Sequence, residues 1–260
     1  KSMMNTVSID MLVHGNMPVS NALKMREVVN LMIPSGAVPA APKFRSTFRV
    51  LKLNSELLLQ EKSDNANESN TACEMYFQID VVRNSCAEHV IKLRILSALI
   101  GEKFFDVLRT KEQLGYYVSC DWLKSVNVCG FHFTVKSPTF SAEHIEARIE
   151  SFISRFARFL RDLPIATYEQ TRKSVAKSRV LPPDNLSDET SRVWSEIIDK
   201  TYNWTLPEEQ SDLILKTTKE SLCTWFERHF ITERRKAYFV ILGHKVEAKL
   251  DDVEAACAGS

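Results

Sequence analysis

Apolar and polar residues alternate most clearly in the middle of the chain. Cys73, Met75, Phe77, Ile79 and Val81 interleave with Glu74, Tyr76, Gln78 and Asp80, which predicts a strand with one buried face. Cys129, Phe131, Phe133 and Val135 alternate with His132 and Thr134 in the same way, and Tyr116 to Leu123 precede them as a partner strand across a short polar link. Between these strands the period lengthens. From about Cys86 to Ile100 the apolar residues Val90, Ile91, Leu93, Ile95, Leu96 and Leu99 cover most faces of a helix, which predicts deep burial. Ser141 introduces a long helix with Ile145, Ile149, Phe152, Phe156 and Phe159 along one side. Further helices are expected from Thr167 to Arg179, Val193 to Ile198, Pro207 to Leu215 and Lys219 to Phe230, before a last strand from Ala237 to Leu242.

The chain's ends are less regular. Val7, Ile9, Met11 and Val13 alternate as a strand ending at His14-Gly15-Asn16, and Ser20 or Asn21 can cap a helix bearing Leu23, Val28, Leu31 and Met32. Pro39 and Pro42 mark an extended boundary, strands resume between Thr47 and Leu59, and Ser63 to Asn70 form a polar loop. Charged and small residues from Lys245 to Ser260 read as a tail. The order of elements predicts an α+β fold, an antiparallel sheet with helices packed mainly on one face. The domains expected are 1–45, 46–245 and a tail at 246–260.

One junction stands apart. Phe104 to Tyr117 reads FFDVLRTKEQLGYY: Phe104, Phe105, Leu108 and Leu114 can share an apolar stripe, with Arg109, Lys111 and Glu112 off it. Gly115 is the expected left-handed helix stop, and a strand follows at once. An arginine on a helix end thus lies near a tyrosine at a strand start. The same residues also fit an ordinary helix-to-strand corner.

Composition narrows the function more than it defines it. The 260 residues are 44% hydrophobic and 26% charged, with 34 basic and 33 acidic side chains. The net charge of +1 gives no reason to expect a nucleic-acid or membrane-surface partner, and no apolar run is long enough to span a bilayer. Seven glycines, with neither GxGxxG nor GxxxxGK[ST], argue against a phosphate-binding loop. The six cysteines form no CxxC pair and read as reduced thiols, so a cytoplasmic protein is expected. The chain begins in mid-pattern without an initiating methionine and reads as a piece of something longer.

Candidate chemistry is sparse. HExxH and HxxEH are absent: Glu88-His89 has Ser85 where a first histidine should stand, and Glu143-His144 has Phe140. Each pair reads as a helix-start acid with a satisfied neighbour. GxSxG is absent, and Cys120 or Cys129 with His132 would make a nucleophile pair only if the fold joined them; their alternation favours packing. Glu233-Arg234-Arg235-Lys236 reads as a solvated turn.

The string LRTKEQLGYYV, Leu108 to Val118, closely resembles a motif in the C-terminal half of insulinase/pitrilysin-type metallopeptidases, the inverted zincins that include the insulin-degrading type. LVHGN at Leu12 to Asn16 resembles the strand end of that family's third domain. The helix with Trp194, Glu196 and Ile197 followed by YNW, and TKESLCTWFERHF at Thr218 to Phe230, are similar to fourth-domain segments. The resemblance implies a zinc-free peptidase-family domain in the non-catalytic half of a clam-shell endopeptidase. Zinc would be held only by the full-length enzyme, through HxxEH in the N-terminal half, and no metal or cofactor by this chain. The implied partners are that N-terminal half and peptide substrates, and homo-oligomerisation is left open. Arg109 and Tyr116 would reach across to hydrogen-bond the substrate backbone, and this chain alone would supply no catalytic residue. Tyr117 and the 63–70 loop carry no assigned role. The alternative is a purely structural or binding module, like the metal-free subunits of processing peptidases.

Overall fold

In the computed structural model, which describes residues 6–7, 9–33, 38–39, 50–81, 88–125, 128–199 and 201–244, the chain divides into two units. In chain order the elements are β1 (Thr6–Val7), α1 (Val19–Met32), β2 (Val38–Pro39), β3 (Leu57–Lys62), β4 (Thr71–Val81) and α2 (Glu88–Phe104). A π-helical turn (Phe105–Lys111) follows, then β5 (Tyr117–Ser125), β6 (Val128–Ser137), α3 (Ala142–Asp162), α4 (Ile165–Arg179), α5 (Leu186–Ile198), α6 (Leu206–Lys216) and α7 (Lys219–Glu227). A second π-helical turn (Arg228–Thr232) and β7 (Lys236–Leu242) complete the series.

The larger unit, 51–180 with 206–260, is built on a five-stranded sheet of order β3-β7-β4-β6-β5. Every neighbouring pair is antiparallel except β3 with β7. The register puts Cys73, Met75 and Phe77 of β4 beside Val135, Phe133 and Phe131 of β6, and Val118 and Cys120 of β5 beside Val135 and Phe133. One face is therefore apolar. Against it lie α2, on β5 and β6, and α3, on β4; α4 and α6 pack on α2, and α7 on α3.

The two core helices bury themselves by different means. α2 is apolar nearly all round, with nine of its residues buried, as the sequence predicts for a central helix. α3 is amphipathic: Ile145, Ile149, Phe152, Ile153, Phe156 and Leu160 are buried in one stripe, and the Ser141 side chain caps the helix by accepting from the His144 N–H at 3.2 Å. Phe104, at the end of α2, lies 5.0 Å from the Phe133 ring and 5.1 Å from the Phe152 ring, tying helix, sheet and α3 together.

The smaller unit, 1–50 with 181–205, contains β1 paired in parallel with β2, and helices α1 and α5. The strand expected from Val7 to Val13 does not extend past Val7 among the described residues; 9–14 run without strand structure, with Ile9 and Met11 exposed and His14 Nδ1 2.7 Å from the Thr190 hydroxyl of α5. Ser20 and Asn21 are not the cap of α1. The helix begins at Val19 after Pro18, whose fixed φ and missing N–H suit a helix entry and supply no side-chain cap. Leu23, Val28, Leu31 and Met32 are exposed on α1.

Other expectations shift by smaller amounts. Residues 50–56 are not strand, so pairing in this region begins at Leu57; Thr47 to Phe48, Pro42 and the tail from Lys245 lie outside the described residues. Ser63 to Asn70 is a polar loop, closed by the Ser63 N–H donating to Leu242 O at 2.9 Å and the His244 N–H donating to Glu68 O at 2.8 Å. The basic run is not a solvated turn. Lys236 is 5% exposed because its register beside Phe77 turns it to the helix-covered face of β7, where its ammonium donates to Glu146 and Glu150 of α3, each at 2.9 Å. Arg234 bridges Glu150 and Glu56, each at 2.7 Å.

Candidate functional site

The corner between α2 and β5 differs from the expected helix end in three ways. The α-helix widens at Phe105 into the π-helical turn, in which the Glu112 N–H donates to Val107 O at 2.9 Å. Phe104, Leu108 and Leu114 are buried as expected, but Phe105 is 50% exposed, because the stripe drawn for an α-helix does not survive the change of winding. The left-handed residue is Gln113, at φ 51°, and not Gly115. Gly115 is needed for a different reason: a Cβ there would lie 1.9 Å from Lys136 O on β6, so the chain can pass the sheet at this point only without a side chain.

These constraints bring Arg109 and Tyr116 together. The Arg109 Nε–H donates to Tyr116 O at 3.2 Å, and the guanidinium carbon lies 5.8 Å from the Tyr116 ring centre. Tyr116 is 86% exposed, immediately before β5 begins. Among the described residues the terminal guanidinium nitrogens of half-buried Arg109 and the hydroxyl of exposed Tyr116 make no hydrogen bond, which leaves charged donors and one adaptable donor at this corner. Such a pair can bind and orient a carbonyl or carboxylate oxygen. Tyr117 pairs with Lys136 in the register, and the Lys136 ammonium lies 5.3 Å from its ring centre.

The remaining candidates resolve as packing. Glu88 sits in the first turn of α2 and pairs with Lys92 one turn on; His89 Nδ1 accepts from the Trp225 indole N–H at 2.8 Å, leaving Nε2 3.6 Å from Asp80. His144 stacks on Phe140 at 4.7 Å. Cys120 and Cys129 line the sheet, where burial pushes both thiols up, Cys129 to about 11, the reverse of what a nucleophile requires. Among the described residues no group of three or more His, Cys, Asp or Glu side chains is placed to hold a metal ion.

Residues that sequence reasoning passed over complete the corner. Both carboxylate oxygens of Glu112 accept from Arg148 of α3, from Nε at 2.8 Å and Nη2 at 2.5 Å, and Arg155 Nη2 adds a contact at 3.3 Å. Arg148 holds the Glu112 carboxyl below the usual carboxylate range. Glu112 lies inside the motif, but nothing local signals a partner 36 positions later.

An α+β unit with one helix-covered sheet face is the form expected of a peptidase-family domain, and solved structures share that fold. Residues 95–194 match the family described as PQQ synthase PqqF-like, C-terminal lobe domain 4. The chain is 27% identical to a nardilysin-like protein of Arabidopsis thaliana over 86% of its length, and 24% identical to human insulin-degrading enzyme over 96%. It spans 22% and 24% of those relatives. The pitrilysin crystal structure superposes with a TM-score of 0.73 at 17% identity, covering 90% of this chain and 24% of pitrilysin. A peptidase M16 inactive domain from Pseudomonas fluorescens superposes at 0.60 and 14% identity, covering 88% of this chain and 52% of that one. Over most of its length the chain is thus similar to part of a nardilysin-like protein and of insulin-degrading enzyme, and over residues 95–194 to a C-terminal lobe domain.

Proposed function

We propose that this chain is the substrate-enclosing C-terminal part of a zinc endopeptidase, offering Arg109 and Tyr116 to a peptide held against a metal centre in the N-terminal half. The single observation that carries the reading is the pairing of Arg109 with the exposed Tyr116 inside the string that resembles the family's motif. On this reading residues 1–45 end a preceding domain and 46–245 form the last one. The N-terminal half supplies the zinc, the water and the general base. The guanidinium and phenol grip the substrate backbone near the scissile bond, where fixed donors stabilise charge developing on a carbonyl oxygen. The names of relatives that process A-factor or degrade insulin support a peptide or protein substrate. The unbridged cysteines Cys73, Cys120, Cys129 and Cys223 support placement in a reducing compartment such as the cytoplasm.

In the full-length protein, Arg109→Ala and Tyr116→Phe are each expected to lower kcat/KM for a peptide by roughly tenfold to a hundredfold with the fold intact. Unchanged turnover in both would favour the alternative, a metal-free structural module of the processing-peptidase kind with no part in hydrolysis.

A further inference from the structure

The Arg109–Tyr116 pair spans a segment held at three points. At its start, Phe104 and Leu108 are fully buried. At its end, Gly115 lies against the Lys136 carbonyl. In between, Glu112 caps the π-helical turn and is forked to Arg148, with Arg155 behind it. The next residue, Gln113, is held left-handed at φ 51°, a conformation unfavourable for a non-glycine residue. The flanking anchors keep it there. Arg148 and Arg155 stand on α3, whose apolar stripe is in the core, so the fork joins the corner to a helix anchored in that core.

We infer that Glu112 is a positioning residue: its bidentate bond to Arg148 fixes the angle between the π-helical turn and β5, and with it the separation of the Arg109 guanidinium from the Tyr116 phenol. The inference rests on the reading of those two side chains given above. Without the fork, Gln113 is free to relax to an ordinary φ. Leu114 would stay in the core and Tyr116 would swing. A bidentate carboxylate–guanidinium pair suits this task because two parallel hydrogen bonds define an orientation as well as a distance. The motif thus carries two kinds of charge: Arg109 has donors to spare, while Glu112 spends its acceptors inside the protein.

The test is a double-mutant cycle on peptide cleavage by the full-length protein, with thermal unfolding recorded for every variant. Glu112→Gln keeps the volume and removes the charge. It is expected to fold and to lower kcat/KM about tenfold, mainly through kcat, as a small misplacement of binding groups does. Because it acts through the corner, it should add little further loss in a Tyr116→Phe background. Arg148→Lys, which keeps the charge but cannot form the fork, should show the same pattern and serves if Glu112→Gln does not fold. Activity within twofold of the parent for both variants, while Tyr116→Phe is impaired, would overturn the positioning role and leave the corner's function standing. Full additivity with Tyr116→Phe would overturn it as well. If Arg109→Ala and Tyr116→Phe are themselves silent, the functional reading fails first.

Discussion

Two charged clusters of the larger unit make opposite use of the same chemistry. At Lys236 the cation is buried and both its carboxylate partners on α3 are in hydrogen-bond contact, with Arg234 completing the network. At the corner, half-buried Arg109 donates one hydrogen bond to a backbone carbonyl, and among the described residues its terminal nitrogens make none, beside an exposed phenol. The first cluster closes the fold on itself. The second leaves binding capacity unspent. A charge with all its partners inside the chain explains structure; a charge held rigidly without them points to a ligand.

The largest effect expected from breaking this contrast is on stability. Lys236→Met should leave Glu146 without its cation and Glu150 with Arg234 alone, at a cost of about 3 kcal/mol, at the low end for a broken buried pair because Arg234 remains and both carboxylates are partly exposed. The midpoint of thermal unfolding should fall by several degrees, while kcat/KM of the folded full-length protein stays near the parent value. Arg109→Ala should do the reverse. Gly115→Ala comes next and should impair both, since the new Cβ meets backbone that cannot step aside: roughly 1–3 kcal/mol in unfolding measurements, with loss of turnover as Tyr116 is displaced.

Acid should weaken the fold away from the corner. Burial pushes His229 down to about 4, with the neighbouring His89 and Arg228 charges acting in the same sense, and burial also lowers His89. The unfolded chain, whose histidines titrate near 6.5, then takes up protons before the folded one does. Stability from these groups is full above about pH 6.5 and is lost as pH falls towards 4. Urea midpoints measured from pH 7 to pH 4 should drop, and His229→Phe should flatten the slope. The smallest effect expected is a gain: Gln113→Gly removes the left-handed penalty and should stabilise by about 0.5–1 kcal/mol in the same assay.

The sheet and core helices were legible because their signals are local. Alternation in β4 and β6 and the all-round apolarity of α2 need no distant partner to be read. The closeness of Arg109 to Tyr116 was legible in the corner's shortness. What escaped depends on contacts far along the chain. Gly115 has the look of a helix stop, but its requirement comes from Lys136. Lys236 reads as solvated until the register turns it towards α3. Glu112 reads as one more exposed helical acid until Arg148 meets it. The π-helical winding, which moves Phe105 out of the stripe, has no residue signature in the segment.

The most direct test of the central claim is complementation. The chain is assayed for peptide cleavage alone, with a co-expressed N-terminal half, and with that half when Arg109→Ala and Tyr116→Phe are combined. Zinc-dependent cleavage should be absent from the chain alone, present with both parts, and reduced by roughly a hundredfold or more in the double variant. Zinc-dependent cleavage by the chain alone, or undiminished cleavage by the double variant, would contradict the account.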